Sequence, residues 1–350
     1  MLSAPRIVVA TRRPFDMTFT LVVPGLLART AEAFSAMPAF RALARYAAPP
    51  RSMRDGLAAA VVAATSLPPE TPAAPLSALG AGMDPGDDYV LAATPVTLVA
   101  GRDDVLLAGR IDDLDRDDTV ALIDLLNRHF AADAIVFAAP RPSTWFVRSV
   151  TTPAINTSPL DAVLGRAIYR HLPRGADAKI WQRWQDEIQM LLHDHAVNQA
   201  RETQGRAPVT GVWLWGGGRL ADVTAPLGCR AFAAAGEPGD FVRGFAILAG
   251  QAADALPPDF SATMSRMQRN VDVVVSLAPL YSDDDVRPFA SAWLQPAVMA
   301  LERGVIDALQ LVANGQGAAA TWRAERPSPF ARLASRWRAP GFSVPTADEE

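Results

Sequence analysis

Cysteine is all but missing from this 350-residue chain: Cys229 stands alone, which rules out an internal disulfide and a thiolate-rich zinc cluster. Such usage fits a reducing compartment. Lysine is as scarce, with Lys179 alone among 33 basic residues, a bias toward arginine that reads as coding composition and carries no mechanism. Histidine occurs at 129, 171, 193 and 195 and is absent from the final 155 residues. No apolar run reaches the roughly 20 residues that span a bilayer. Residues 19–28 are too few, residues 57–64 fewer still, and Asn314-Gly315-Gln316-Gly317 interrupts 308–322. In residues 1–13 two of the three basic residues, Arg12 and Arg13, follow the short apolar stretch, unlike a signal peptide. Neither a Walker lysine, a G-x-G-x-x-G fingerprint nor a G-x-S-x-G elbow is present. A net charge of -4 gives no overall attraction to nucleic acid or anionic membrane. The expectation is a soluble cytoplasmic protein with neither as partner.

What is present suits a globular protein of about two domains, half of its residues being hydrophobic and a fifth charged. Residues 19–23 are β-formers closed by Pro24-Gly25, a buried strand. Helices are expected over 38–46, stopped by Pro49-Pro50, and over the almost wholly apolar 57–65. Residues 68–75 and 80–86 read as loops rich in turn formers. From Tyr89 the pattern changes to short strands at 89–91, 96–99, 105–107, 135–137 and 145–150 around a helix at 115–130, with an exit linker at 151–159. One long helix is expected over 178–203, striped by Ile180, Trp184, Ile188, Leu191 and Leu192 and ended by Gly205 and Pro208. Strands follow at 209–215 and 271–277, then a helix at 285–303 and a hairpin of 309–312 with 319–323.

His193 and His195 are two apart on a helix, roughly 200° around its axis, and cannot face one ion. Asp112-Asp113-Leu114-Asp115-Arg116-Asp117-Asp118 lacks the glycine and closing glutamate of a calcium loop and reads as helix-start acids. Asn198 and Arg201 share a helix face, and Trp213 and Trp215 share a strand face. Gly216-Gly217-Gly218 after that strand would let backbone amides approach an anion, with Arg219 as counter-charge. Should the strand pack beside the helix, these residues converge on a pocket for a small anion or a partner's acidic side chain. The alternative is that Asn198 and Arg201 only tie the helix end to the next loop. Phe330, Leu333 and Trp337 with Arg332, Arg336 and Arg338 read as a short basic amphipathic helix docked on the domain.

His195-Ala196-Val197-Asn198, Arg201, Gly205, Pro208 and Trp213-Leu214-Trp215-Gly216-Gly217-Gly218 together resemble a stretch of the archaeal-type cofactor-independent phosphoglycerate mutases, which carry HPVN, R, G, PAN and W-x-WGQG at this spacing. Gly86-Asp87 leading into Tyr89, Ala108-Gly109-Arg110-Ile111, Met37 to Ala44, and Ala78-Leu79-Gly80 with Asp84-Pro85 are similar to further segments of that family. Residues 159–166 (PLDAVLGR) and 187–193 (EIQMLLH) resemble, more closely still, the family of regulatory protein E of the Rpf pathogenicity-factor group.

The resemblance implies an α/β fold, an alkaline-phosphatase-like core with a largely parallel sheet over residues 1–85 and 176–325, a smaller α+β domain inserted at 86–175, and a tail at 326–350. The strands near Leu21 and Val212 should then share a sheet. The mutases use a serine nucleophile and two divalent metals held by aspartates and histidines. Here Val23-Pro24-Gly25 stands where the first aspartate is expected, and Thr71-Pro72-Ala73-Ala74-Pro75 replaces the serine-aspartate pair. The late histidines are missing, Trp145-Phe146 replaces an arginine-histidine pair, and Pro159-Leu160-Asp161 replaces Pro-His-Asp. Ser66 or Ser77 would be a displaced nucleophile. The expectation is a non-catalytic regulatory or binding protein with no catalytic residue, metal ligand or cofactor, binding through Asn198, Arg201, Trp213, Trp215, Gly216, Gly217, Gly218 and Arg219. The alternative is an active mutase or phosphoesterase with an altered site.

Overall fold

The computed structural model describes residues 17–35, 37–53, 56–65, 67–102, 104–224, 229–251, 254–267, 271–315, 318–328 and 342. Residues 1–13, Ser66 and the basic segment from Arg332 to Arg338 lie outside them. The strands are β1 (Thr18–Val23), β2 (Arg51–Met53), β3 (Tyr89–Ala100), β4 (Val105–Arg110), β5 (Ile135–Arg141), β6 (Thr144–Ser149), β7 (Gly211–Arg219), β8 (Cys229–Ala233), β9 (Asp254–Ala255), β10 (Asp272–Ser276), β11 (Ala308–Gly315) and β12 (Ala318–Glu325). The helices are α1 (Ala31–Ser35), α2 (Pro38–Tyr46), α3 (Gly56–Ala64), α4 (Ala73–Gly80), α5 (Arg116–His129), α6 (Ala178–His193), α7 (Ala196–Thr203), α8 (Gly239–Leu248), α9 (Phe260–Ser265), α10 (Val286–Phe289) and α11 (Gln295–Arg303).

The fold is mixed α/β. A parallel-rich sheet runs in the order β2-β12-β11-β1-β10-β8-β9, with β11, β1, β10, β8 and β9 parallel and β12 and β2 antiparallel at one edge. A second sheet, β4-β3-β6-β5 with β7 also on β3, is antiparallel throughout. Alternation along each strand sets the layers. In β1, Phe19, Leu21 and Val23 face the core shared with α2, α10 and α11, and Val22 faces the core shared with α3, α4 and α8. In β3, Val90 and Ala92 face that same α3/α4/α8 layer, whereas Tyr89, Leu91 and Ala93 face α5 and α6. Helices α3, α4 and α8 are thus sandwiched between the two sheets, which explains why α3 is apolar almost all round.

Three expectations are corrected. The strand at 211–219 does not join β1; it pairs antiparallel with β3, Ala93 opposite Leu214 and Val96 opposite Gly211. A strand buried on both faces has the same apolar pattern in either kind of sheet, so pattern alone cannot choose its partner. Trp181, Trp184, Ile188 and Leu192 of α6 pack on this second sheet as well, so α6 and β7 go with the antiparallel unit rather than with the parallel core. The triple glycine is not a loop but the second half of β7.

Candidate functional site

Asn198 and Arg201 sit on one face of α7, as expected, but both are spent internally. The buried Asn198 side chain donates to the carbonyls of Leu192 (2.7 Å) and Val209 (2.8 Å) and accepts from Val209 N–H (2.8 Å). It locks the end of α6 to the approach of β7. Arg201, 1% exposed, donates to Ala207 O at 2.8 Å and to Asp113 Oδ1 at 2.5 Å. His195 starts α7, its Nδ1 accepting from Val197 N–H.

The other proposed ligands are equally committed. Trp213 and Trp215 do share a face of β7, in the core with α3, α4 and α8; their Nε1 groups donate to Ser158 O (2.9 Å) and Thr94 Oγ1 (3.0 Å). Val90 opposes Gly218 and Ala92 opposes Trp215, so β7 carries one extra residue there, a bulge with Gly216 at φ 69°. A Cβ on Gly217 would lie 2.3 Å from Tyr89 Oη, and one on Gly218 2.4 Å from Pro72 Cβ. The glycines admit neighbouring protein, not a phosphate. Arg219 donates to Thr152 Oγ1 at 2.7 Å and to the carbonyls of Asp87 and Val150. The expected convergence on an anion pocket is therefore absent, and of the set only Trp215 reaches a cavity of ligand size.

That cavity is a cleft of about 640 Å³ between the two sheets. Its floor is the carboxyl end of the parallel strands, the usual place for a ligand in α/β sheets. Pro24 and Gly25 follow β1, Ala235 to Pro238 follow β8, Pro279 and Tyr281 follow β10, and Asn314 and Gly315 end β11. The antiparallel unit adds Arg110, Asp112 and Arg141, α3 adds Leu57, and the segment between β6 and α6 adds Leu160 and Asp161. Asp161 Oδ2 accepts from Leu57 N–H (2.9 Å) and Asn314 Nδ2 (3.0 Å), while Asn314 Oδ1 accepts from Gly25 N–H (2.9 Å). This chain of bonds ties the ends of β1 and β11 to α3.

Arg110 Nε donates to Asp112 Oδ1 at 2.7 Å, and Arg141 Nη2 donates to the buried carboxylate of Asp240. Burial works against the charge of Arg110, but the carboxylates of Asp112 and Glu237 outweigh it and raise its pKa. Burial also raises Asp240, opposed by Arg141. Glu237 is pushed up to about 7, mainly by burial and further by Asp161, Asp240 and Asp112, with Arg110 pulling the other way. An adjoining void of about 20 Å³, roughly one water in size, is lined by Ser77, Thr94, Arg110, Ser143, Glu237 and Asp240. Ser77 Oγ, Ser143 Oγ and Asp240 Oδ1 find no partner there among the described residues. Sequence reasoning missed Glu237 and Asp240, since neither belongs to a motif; the signal available was an acid pair flanking Pro238-Gly239 directly after an apolar strand.

The residues present do not fit a two-metal centre. None of the four histidines lines the cleft, and among the described residues no group of three or more His, Cys, Asp or Glu side chains is placed to hold a metal ion. Thr71, the one hydroxyl in the segment that replaces the serine-aspartate pair, donates to Pro68 O at 2.6 Å and does not line the cleft. Ser77 is buried in α4.

Residues 71–198 match the family model of the 2,3-bisphosphoglycerate-independent phosphoglycerate mutases. A mutase of that name from Methanothrix thermoacetophila is 40% identical over 72 residues, 21% of this chain and 18% of the relative. The mutase 2 of Methanothermobacter thermautotrophicus is 29% identical over 148 residues, 41% of this chain and 36% of the relative. The chain thus matches well under half the length of these curated relatives. A cofactor-independent phosphoglycerate mutase structure from Thermoplasma acidophilum aligns over 89% of this chain and 90% of that chain, at 16% identity and a TM-score of 0.40. The sequence matches relate the chain to the cofactor-independent phosphoglycerate mutases. No helix among the described residues is long and apolar enough to cross a membrane.

Proposed function

We propose that this chain is a non-catalytic relative of the mutases, a regulatory or binding protein that has a cleft at the strand ends and has lost the chemistry at its floor. One observation carries the reading. The carboxyl ends of the parallel strands meet the cleft with Pro24, Gly25, Gly236, Pro279, Tyr281 and Asn314 and a single carboxylate, Glu237, with no serine, threonine or histidine among them, too few groups to hold two divalent ions and a nucleophile. Asn314 is further spent in bonding Gly25 and Asp161. The parallel-rich sheet with its cleft at the strand ends supports an alkaline-phosphatase-like ancestry for the core, and the lone buried Cys229 suits the cytoplasm. The occupant of the cleft is a small molecule or a segment of a protein partner.

Equilibrium dialysis of the purified chain against manganese tests the reading. The expected result is no stoichiometric pair of tightly held ions. Two ions per chain, accompanied by mutase turnover, would favour an active enzyme with an altered site.

A further inference from the structure

Arg110, Ser143, Thr144 and Glu237 line both the cleft and the small void, so polar groups gather where the two meet. Much of the remaining lining is apolar, with Leu57, Leu160, Leu164, Trp215 and Phe241 prominent. We propose that the cleft takes an amphipathic monocarboxylic acid, its carboxylate held at that junction by Arg110 and Glu237 and its apolar body lying along the leucines and Phe241. The inference rests on the reading of the cleft as a binding site rather than a mutase centre.

Size and charge both point this way. A cleft of about 640 Å³ matches a drug-sized ligand with a mainly apolar body. Phosphoglycerate is far smaller and carries several negative charges, yet the cleft offers no surplus of positive charge: Arg110 and Arg141 stand against Asp112, Asp161 and Glu237. Arg141 is engaged with Asp240. Arg110 uses Nε on Asp112, and its two terminal nitrogens have no partner among the described residues. They face a single carboxylate's worth of demand, for which a guanidinium edge is well shaped. An amine would meet Arg110 and leave those donors unmet. Glu237 has no hydrogen-bond or ion-pair partner among the described residues and is surrounded by Arg110, Asp112, Asp161 and Asp240. Protonated, it donates to the ligand carboxylate; ionised, it repels it. Uptake of the acid therefore favours the protonated side chain.

Titration calorimetry with decanoate, decanol and decylamine at pH 6 and pH 8 tests this. One decanoate should bind per chain, about tenfold tighter at pH 6 than at pH 8, the ratio of protonated Glu237 at those pH values for a group near 7. Glu237→Gln should bind decanoate with that ratio abolished, and Arg110→Gln should erase the preference for decanoate over decanol. Ala58→Phe, which fills the cleft from α3, should abolish binding of both. Overturning results are decanoate that does not bind, that binds equally at both pH values, or that binds Ala58→Phe undiminished. If 3-phosphoglycerate stays unconverted in these samples, such a result overturns this inference alone; conversion of 3-phosphoglycerate overturns the reading beneath it.

Discussion

Arg201 and Asp113, 88 residues apart in the chain, meet at 2.5 Å with the guanidinium 1% exposed and the carboxylate 55% exposed. The arginine is an internal strut joining α7 to the turn before α5. Arg201→Ala should therefore lower stability by about 2–3 kcal/mol, the scale for a lost charged hydrogen bond together with lost buried contacts. Because Asp113 remains solvated, the loss stays below that of stranding a buried charge. Urea denaturation should show the same loss with and without any cleft ligand; a loss seen only with ligand would return Arg201 to the binding site.

Asn198 is more discriminating. Its amide satisfies two carbonyls and one N–H at once. Asn198→Asp keeps the shape but points an acceptor at the Leu192 and Val209 carbonyls, so it should cost at least as much as Asn198→Ala, about 2–4 kcal/mol. An aspartate variant as stable as the parent would contradict the assigned geometry.

Gly218→Ala places a methyl against the rigid ring of Pro72, 2.4 Å from its Cβ. The expected cost is about 1–3 kcal/mol, as for overpacking a core, and it should appear in the ligand-free protein. A phosphate-cradling loop would instead tolerate alanine until its ligand was added.

Much of the architecture was legible. β1, α2, α3, α5 and the β11–β12 hairpin fall within a few residues of their expected places, because each is a strongly patterned segment bounded by proline, glycine or a capping acid. The long helix at 178–203 breaks after His193, where Asp194 ends α6 and His195 caps α7. Its buried stripe runs through Trp181 rather than Ile180, which is exposed. Helix α4 hid behind Pro72 and Pro75, which resemble a loop but fall at the helix start, where no N–H is needed. The site was the least legible part. Arg110, Arg141 and Glu237 from strand ends and Asp161 from the turn between β6 and α6 all line the cleft, and no local spacing records that meeting.

Glu237 sets a pH dependence with a defined sign. Its ordinary value of 4.5 is raised to about 7 in the folded chain. Between these values the folded form keeps a proton that the unfolded chain has shed, so stability is greatest below about pH 4.5 and falls as pH rises to about 7. Glu237→Gln removes this contribution. It should match the parent at pH 4.5 and exceed it at pH 8 by about 2 kcal/mol, allowing for solvent at the cleft mouth. Chemical denaturation at the two pH values checks it; a variant less stable than the parent at pH 8 would show that the ionised carboxylate is favourably paired.

On the proposed reading the cleft carries out no phosphoryl transfer. Conversion of 3-phosphoglycerate to 2-phosphoglycerate by the purified full chain, followed by phosphorus NMR with and without manganese, tests it most directly. No conversion above the protein-free control is expected under either condition. Turnover that manganese raises and a chelator abolishes would contradict it.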